Sequence, residues 1–318
     1  MRDTPYAILT PCFNEEGSII QFLMKLDTAL AQLPFSFIVV VIDDGSQDNS
    51  LSLLCDFRFT SSRIKLRILK LKFNVGHQMA IYQGLLYISK VETRNVIIMD
   101  SDGEDDPAAI PQVLPLADYD IAEIKRGKRS EKILFKMAYR VYKIIFWAIT
   151  GKSMDYGNYC MISRTIVDRI SYTGFIHLPA YLLKQKAKKT HIIFNRGKRI
   201  QGESKLGMKG LLMHAFKSFI EFGEDLLLLF LKLFFVICLF LLFIFIDLFY
   251  QKFIAKTAIL GWFSTLAMEM IILAGMSLGF FILGILLLNL IHQQNNKDQQ
   301  NIYLLIDANH ESQPSTES

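Results

Sequence analysis

Three features of the sequence predict an α/β domain on a mostly parallel sheet, followed by two C-terminal transmembrane helices. Apolar, β-branched runs alternate with helical stretches from Tyr6 to about residue 120. Each run ends in a polar cluster, "CFNEE", "DDGSQDNS", "FNVGHQ" or "DSDGEDDP". Two later stretches, residues 226–246 and 271–291, are almost free of charge.

The elements follow in order. "YAILTPC" reads as a strand with a helix from Glu16 to Leu33, and "FIVVVIDD" as a strand with a helix through Leu51 to Phe57. "KLRILKL" precedes a helix from Gly76 to Lys90, and "NVIIMD" is the fourth strand. Nearly continuous β-branched runs separated by helices imply strands buried on both faces, which is the habit of parallel sheets. Open α/β sheets bind ligands beyond the carboxyl ends of their strands, so the four polar clusters are expected to share one crevice.

After residue 130 the pattern changes. In residues 131–149 the basic Lys132, Lys136, Arg140 and Lys143 recur at helical spacing among apolar side chains. Such a helix either lies in a membrane interface or packs its apolar side on the sheet. Residues 208–222 form a second amphipathic stretch leading into the first span. Each apolar stretch has the roughly 20 residues a helix needs to cross a bilayer, and neither keeps the polar face of a soluble helix. The expected division is a cytosolic domain over 1–222, a two-helix membrane region over 226–291 and a polar, disordered tail over 292–318.

The first residues carry no secretory signal. Between Asp168 and Glu203 there is no acid but a run of Lys and Arg, and such an excess beside a span favours the cytoplasmic side. An integral membrane protein with its catalytic domain in the cytosol, as in a bacterial inner membrane, is expected. The net charge of +5 is assigned to lipid headgroups and phosphate ligands, with no nucleic acid. The four cysteines form no C-x-x-C pair, which excludes the usual zinc and disulfide frameworks. Gly275 and Gly279 make a G-x-x-x-G pair that would allow a homo-oligomer.

Residues 100–106 hold five carboxylates. Asp100, Asp102 and Glu104 alternate with Ser101 and Gly103, so in an extended loop they point to one side. Hard oxygen ligands there suit Mg²⁺ or Mn²⁺ shared with a substrate phosphate. An EF-hand fails, because the Gly is at the fourth loop position and Pro111 stands where the bidentate Glu belongs. A solvated acidic loop is the competing reading of D-x-D taken alone.

"TPCFNEE", "VVVIDDGSQDNS", "FNVGHQMAIYQGL" and "IIMDSDGEDDP", in this order, resemble family 2 glycosyltransferases of the polyprenyl-phosphate group, which includes dolichyl-phosphate mannose synthases. "RIQGESKLG" is similar to an R-x-x-G-E-S-K segment of that group, and two C-terminal spans resemble members acting on undecaprenyl phosphate. The resemblance implies a GT-A type, Rossmann-like fold and an inverting transfer of sugar from a UDP- or GDP-sugar to a polyprenyl phosphate. It implies Pro11, Asn14, Glu15, Asp43 and Asp100 as nucleotide-sugar contacts, and Asp102 and Glu104 as ligands of Mg²⁺ or Mn²⁺. Relatives often carry Gln at the place of Glu104.

A phosphate acceptor is already anionic, so charge stabilisation matters more than a strong base. Arg126, Arg199, Ser204 and Lys205 are the candidates for gripping phosphate, with Arg199 and Asp102 catalytic. Asp155 matches the Asp of the group's acceptor motif and is assigned to acceptor orientation or weak base duty, although the Arg of that motif is not in its usual place. Asp44, Gly45 and Ser46 read equally as turn chemistry. His77 is either a polar site residue or a structural loop histidine. A processive synthase would need a Q-x-x-R-W motif, which neither Trp147 nor Trp262 supplies. A catalytically inactive membrane scaffold is disfavoured by the intact Asp102, Glu104, Arg199 and Lys205.

Overall fold

The structure is a computed structural model that describes residues 4–127, 133–153, 157–195, 197, 200, 208–256, 261–297 and 302–307. Two compact units divide the chain: Met1–Tyr142, Ser153–Glu221 and Asn295–Ser318 form one, and Lys143–Lys152 with Phe222–Gln294 form the other.

The first unit is built on a sheet. Strands β1 (Tyr6–Cys12), β2 (Phe37–Asp43), β3 (Ile64–Leu71) and β4 (Val96–Ile98) run parallel, joined by α1 (Ile19–Ala31), α2 (Ser50–Asp56) and α3 (His77–Ile88). After the short α4 (Ile110–Val113) come β5 (Ile121–Arg126), β6 (Cys160–Ile162) and β7 (Lys189–Phe194). The sheet order is β7-β5-β6-β4-β1-β2-β3-β8, in which β8 is Tyr303–Asp307. β6 runs antiparallel to both β4 and β5, and β8 antiparallel to β3. The chain winds outward from β1 to β3 and then returns to the other side of β1 at β4, which makes the β1/β4 boundary the topological switch point.

Alternation along β1 and β2 explains their unbroken apolar character. Ile8, Val39 and Val41 enter one core with Phe22, Leu26 and Leu54 of α1 and α2. Leu9, Val40 and Ile42 enter a second core with Ile81 and Leu85 of α3, Ile166 and Ile170 of α6 (Arg164–Thr173) and Leu178 of α7 (Leu178–Lys184). With water excluded from both faces, both parities are apolar along most of their length, and the buried polar exceptions, Thr10 and Asp43, fall toward the carboxyl ends of the strands.

Arg164 is the residue of "MDYGNYCMISR" nearest in type to the acceptor-motif arginine, and its role in the fold is structural. Its guanidinium donates to the carbonyls of Ile88 at 3.1 Å, of Ser89 and of Val91, closing the C-terminal end of α3, and its Nε donates to Asp168 at 2.9 Å. The Ile88 carbonyl also accepts the Val91 amide at 3.0 Å, so the arginine adds a charged donor to the turn that closes the helix. Arg164→Met should destabilise the unit by about 2 kcal/mol, read from the denaturant midpoint.

Beyond the sheet, α5 (Ile133–Thr150) and α8 (Met208–Glu221) fall where amphipathic helices were expected. Tyr142 of α5 bonds Ser218 of α8 at 2.7 Å and meets the edge of Phe219. The second unit contains α9 (Gly223–Phe249) and α10 (Trp262–Lys297), which include both apolar stretches. Gly223–Ile254 and Ser264–Leu287 are long and apolar enough to cross a membrane, and their most apolar windows have no buried residue. A Cβ at Gly275 or Gly279 would meet nothing, whereas one at Gly284 would lie 2.5 Å from Leu227 Cδ2. Gly284 is therefore the small residue that lets α10 approach α9.

Part of the tail, residues 303–307, departs from the expectation of disorder. Tyr303–Asp307 pairs with β3 as an edge strand, Tyr303 stacks edge-on against Tyr87 and Ile306 packs on the first core. The polar composition around it masked a five-residue segment, YLLID, of good strand character.

Candidate active site

The loops beyond the carboxyl ends of β1 to β4 are joined by hydrogen bonds into a closed circuit. From the β1 loop, the Asn14 amide donates to Ser46 Oγ at 3.0 Å and the Glu15 amide to Ser50 Oγ at 2.8 Å, both on the β2 side. Gln47 returns its amide to Asn14 Oδ1 at 2.8 Å. Asn14 makes these bonds with φ at +51°, a conformation that asparagine tolerates better than most residues. From the β2 loop, the Asp44 carboxylate accepts the amides of Val75 at 2.7 Å and Gly76 at 2.9 Å, just before α3. His77, first in α3, bonds Asp100 in the β4 loop through Nε2 at 2.9 Å. Ser101 closes the circuit, donating to the Pro11 carbonyl at 2.8 Å across the switch point.

This circuit brings Pro11, Asn14, Glu15 and Asp100 together, and Asp43 Oδ1 joins it by accepting the Ser46 amide at 3.3 Å. Asp43 is fully buried, and its Oδ2 has no hydrogen-bond partner among the described residues. A buried carboxylate oxygen left unpaired costs free energy unless a donor arrives, which suits a ribose hydroxyl or a base N–H. Asp44, with two backbone donors, acts as a loop clamp and not as a ligand. Gly45 beside it has φ +71°, and a Cβ there would sit 3.0 Å from the Asn74 nitrogen.

In the acidic loop, exposure alternates as the spacing predicts. Asp100, Asp102, Glu104 and Asp106 are half-buried, while Ser101, Gly103 and Asp105 are buried. Asp105 accepts the Asp100 amide at 3.0 Å, Asp102 Oδ1 accepts the Glu104 amide at 2.9 Å, and Tyr159 donates to the Asp106 carbonyl at 2.8 Å. The expectation that three carboxylates converge is corrected: among the described residues no three acidic, His or Cys side chains gather into a metal-holding group. Asp100 is turned to His77 instead. Two carboxylates, Asp102 and Glu104, remain at the rim, and that donor set fits an ion which takes one or two carboxylates and draws its other ligands from phosphate and water.

A strap after β7 lies on this loop. Gly197 donates its amide to the Glu104 carbonyl and Ile200 to the Asp102 carbonyl, both at 3.0 Å. Gly103, at φ +83°, leaves no room for a Cβ, which would sit 2.5 Å from Ile200 Cγ1. Gly197 is as confined, its Cβ position lying 2.4 Å from the Gly103 carbonyl oxygen. Reading the sequence by motif missed Gly103, Gly197 and Ile200, because close backbone approach leaves no signal beyond a glycine. Arg126 ends β5, at the same edge of the sheet as the loops. Asp155, Arg199, Ser204 and Lys205 lie outside the described residues.

Charge is concentrated here. Burial raises the Cys12 thiol well above its ordinary pKa, and the neighbouring Asp43 adds to it. Burial also raises Asp44 against its two backbone donors. For His77, burial pulls the pKa down, but Asp100 with Asp105 and Asp102 outweighs it and the net shift is upward from 6.5. A histidine with a raised folded pKa adds stability that is fully present below about pH 6.5 and is lost as pH rises through the folded value. Nucleotide-free protein in chelator should therefore lose thermal stability between pH 6.5 and 8 more steeply than His77→Gln does, measured by midpoint shifts at matched ionic strength.

The chain is similar to known proteins. An undecaprenyl-phosphate 4-deoxy-4-formamido-L-arabinose transferase of Klebsiella pneumoniae (strain 342) is 32% identical over 168 residues, 51% of this chain and 50% of its own length. The corresponding protein of Salmonella choleraesuis (strain SC-B67) is 28% identical over 216 residues, 65% of this chain and 64% of its own. The chain thus spans about half to two thirds of these relatives. Among solved structures, mannosyl-3-phosphoglycerate synthase from Rubrobacter xylanophilus matches the fold with a TM-score of 0.51 at 12% identity, covering 70% of this chain and 74% of that one. Glucosyl-3-phosphoglycerate synthase from Mycobacterium tuberculosis, in complex with Mn²⁺, UDP-glucose and phosphoglyceric acid, also gives 0.51, at 14% identity over 70% of this chain and 80% of that one. Residues 7–170, just over half of the chain, match the family described as Glycosyl transferase family 2, to which this chain belongs.

Proposed function

We propose that this chain is a membrane-anchored inverting glycosyltransferase that moves a sugar from a UDP- or GDP-sugar to a polyprenyl phosphate. The observation that carries the reading is the four-loop circuit at the switch point, with Asp102 and Glu104 on its rim, in a chain that also has two helices long enough to cross a membrane. The similar undecaprenyl-phosphate transferases support the acceptor class.

In the proposed reaction an oxygen of the lipid phosphate forms a bond to the anomeric carbon while the bond to the nucleoside diphosphate breaks. The electron pair leaves with the diphosphate. Asp43 and the β1 loop hold the nucleoside, Pro11 shapes the wall, and Asp100, kept in place by His77, faces the ribose. Asp102 and Glu104 would hold Mg²⁺ or Mn²⁺, which when bound offsets charge on the diphosphate. Arg126, Arg199, Ser204 and Lys205 are the proposed phosphate grips, and Asp155 orients the acceptor.

The path of the chain supports a topology for this reading. It leaves the sheet unit at Glu221 and is again part of that unit at β8, which supports an even number of crossings between them. The basic run from Arg169 to Arg199 supports the cytosolic face for this unit. A homo-oligomer through the open Gly275 and Gly279 face is part of the same reading.

Membranes containing the full chain, supplied with a panel of labelled UDP- and GDP-sugars and undecaprenyl or dolichyl phosphate, should put label into the organic phase with Mg²⁺ or Mn²⁺ and not in chelator. Nucleotide binding without any lipid product would overturn the acceptor assignment.

A further inference from the structure

The polar contacts of Gln78 extend from the acidic loop to the root of the juxtamembrane helix. Gln78 is the second residue of α3 and is buried. The Leu178 amide donates to its Oε1 at 2.7 Å. A backbone N–H can only donate, so this bond fixes which end of the carboxamide is oxygen. Nε2 must then face the other way. It donates to Asn158 Oδ1 at 3.1 Å and lies 3.4 Å from His77 Nδ1. With a donor against Nδ1, the ring proton belongs on Nε2, which is the nitrogen 2.9 Å from Asp100. One backbone amide on α7 thus sets the tautomer of the histidine that holds Asp100.

The other end of the chain of contacts is equally defined. The loop before α7 gives the amides of Ile176, at 2.8 Å, and His177, at 3.2 Å, to the carboxylate of Glu221, the last residue of α8. His177 Nδ1 accepts the Ala180 amide at 3.3 Å and caps α7. Asn158, also buried, stands three residues after Asp155, in the segment assigned to the acceptor.

We propose that Gln78 is a positioning residue which holds the acceptor-side turn at Asn158 and the Asp100 carboxylate in a fixed relation to the N-terminus of α7. It touches neither donor nor acceptor and acts through Asn158 and His77. The assignment of the turn to the acceptor rests on the reading under "Proposed function".

Two measurements test this in the full-length protein. Hydrogen exchange on wild type, Gln78→Met and Gln78→Glu reads the geometry without needing any substrate. Gln78→Met removes every polar contact at similar volume, whereas Gln78→Glu keeps the acceptor for Leu178 and loses both donors. Peptides spanning 157–162 should exchange about tenfold faster in both variants with β1 and β2 unchanged, and faster exchange at 176–180 should appear in Gln78→Met alone. Unchanged exchange at 157–162, or equal loosening of β1 and β2, overturns the positioning role. Kinetics then read the consequence with undecaprenyl phosphate. KM for the lipid should rise about tenfold with KM for the nucleotide-sugar within twofold, and combining Gln78→Met with Asn158→Leu should add little to either alone. Equal changes in both KM values, or a fully additive double variant, overturn the link to the acceptor. If wild type transfers no sugar to the lipid, the functional reading fails, and exchange alone still decides whether Gln78 orders the turn.

Discussion

Asp102→Ala is expected to lower kcat/KM for sugar transfer by about a thousandfold, equivalent to ~4 kcal/mol of transition-state stabilisation. Little of that loss should come from folding. Asp102 is half-buried, its side chain accepts the Glu104 amide within the same turn, and the strap bonds to its backbone carbonyl, which the substitution leaves in place. Asp102→Asn separates charge from structure, because it retains an oxygen for the Glu104 amide and loses the anion. It should be nearly as inactive as the alanine variant, with an unchanged thermal midpoint. Glu104→Gln should be milder, about tenfold, since Gln often stands at this place in the glycosyltransferases that the sequence resembles and its amide oxygen still ligates a hard cation. Initial rates across a Mg²⁺ and Mn²⁺ titration decide the matter: an asparagine variant with more than a tenth of wild-type kcat/KM would show that the charge on Asp102 is not required.

The central sheet was legible in the sequence because both of its faces are buried. Burial on two sides forces unbroken apolar runs such as FIVVVID, and no other arrangement accounts for them so simply. β5, β6 and β7 were not legible. β6 is a three-residue strand, and β7 alternates exposed and half-buried positions with none fully buried, so neither leaves a run to read. β8 was hidden for a related reason. It is an edge strand in a polar tail, and its order depends on pairing with β3, a tertiary contact that composition does not express.

In the site, residue type revealed the parts but not the partners. By residue type Asp44 reads equally as a site or a turn residue, and His77 as a polar site residue or a loop histidine. Their work is to bind the β2 loop to the β3 loop and the β3 loop to the β4 loop, across sequence separations of 31 and 23. Asp105 is indistinguishable from its neighbours in a row of acids, yet it is the one turned inward to the Asp100 amide. The expected three-carboxylate cluster failed on the same point, because spacing gives the side of a loop on which Asp100 lies, not the histidine that takes it. Gln78 and Glu221 offered no signal at all, since Glu221 acts on backbone amides that any residue would supply and Gln78 joins one such amide to a side chain 80 residues away.

The strap is where the structure adds most, and Gly197→Ala tests it with the second large effect. The new methyl would lie 2.4 Å from the Gly103 carbonyl oxygen and 3.7 Å from that of Glu104. Those atoms belong to backbone, not to the yielding end of a side chain. The strap must therefore lift by roughly 1 Å, weakening the amide bonds from Gly197 and Ile200 to the acidic loop. Lys198 and Arg199, the latter a proposed phosphate grip, stand between those two attachments in the sequence. A misplacement of that size at a reacting centre costs about a hundredfold in rate. We expect kcat to fall by about that factor while stability changes by less than 1 kcal/mol, since Gly197 lies beyond β7 and outside both hydrophobic cores. Gly275→Ala, at a position where a Cβ meets nothing, is the control that should leave kcat unchanged in the isolated chain. A Gly197→Ala enzyme with a third or more of wild-type kcat would mean that the contact between strap and loop does not position the groups that transfer the sugar.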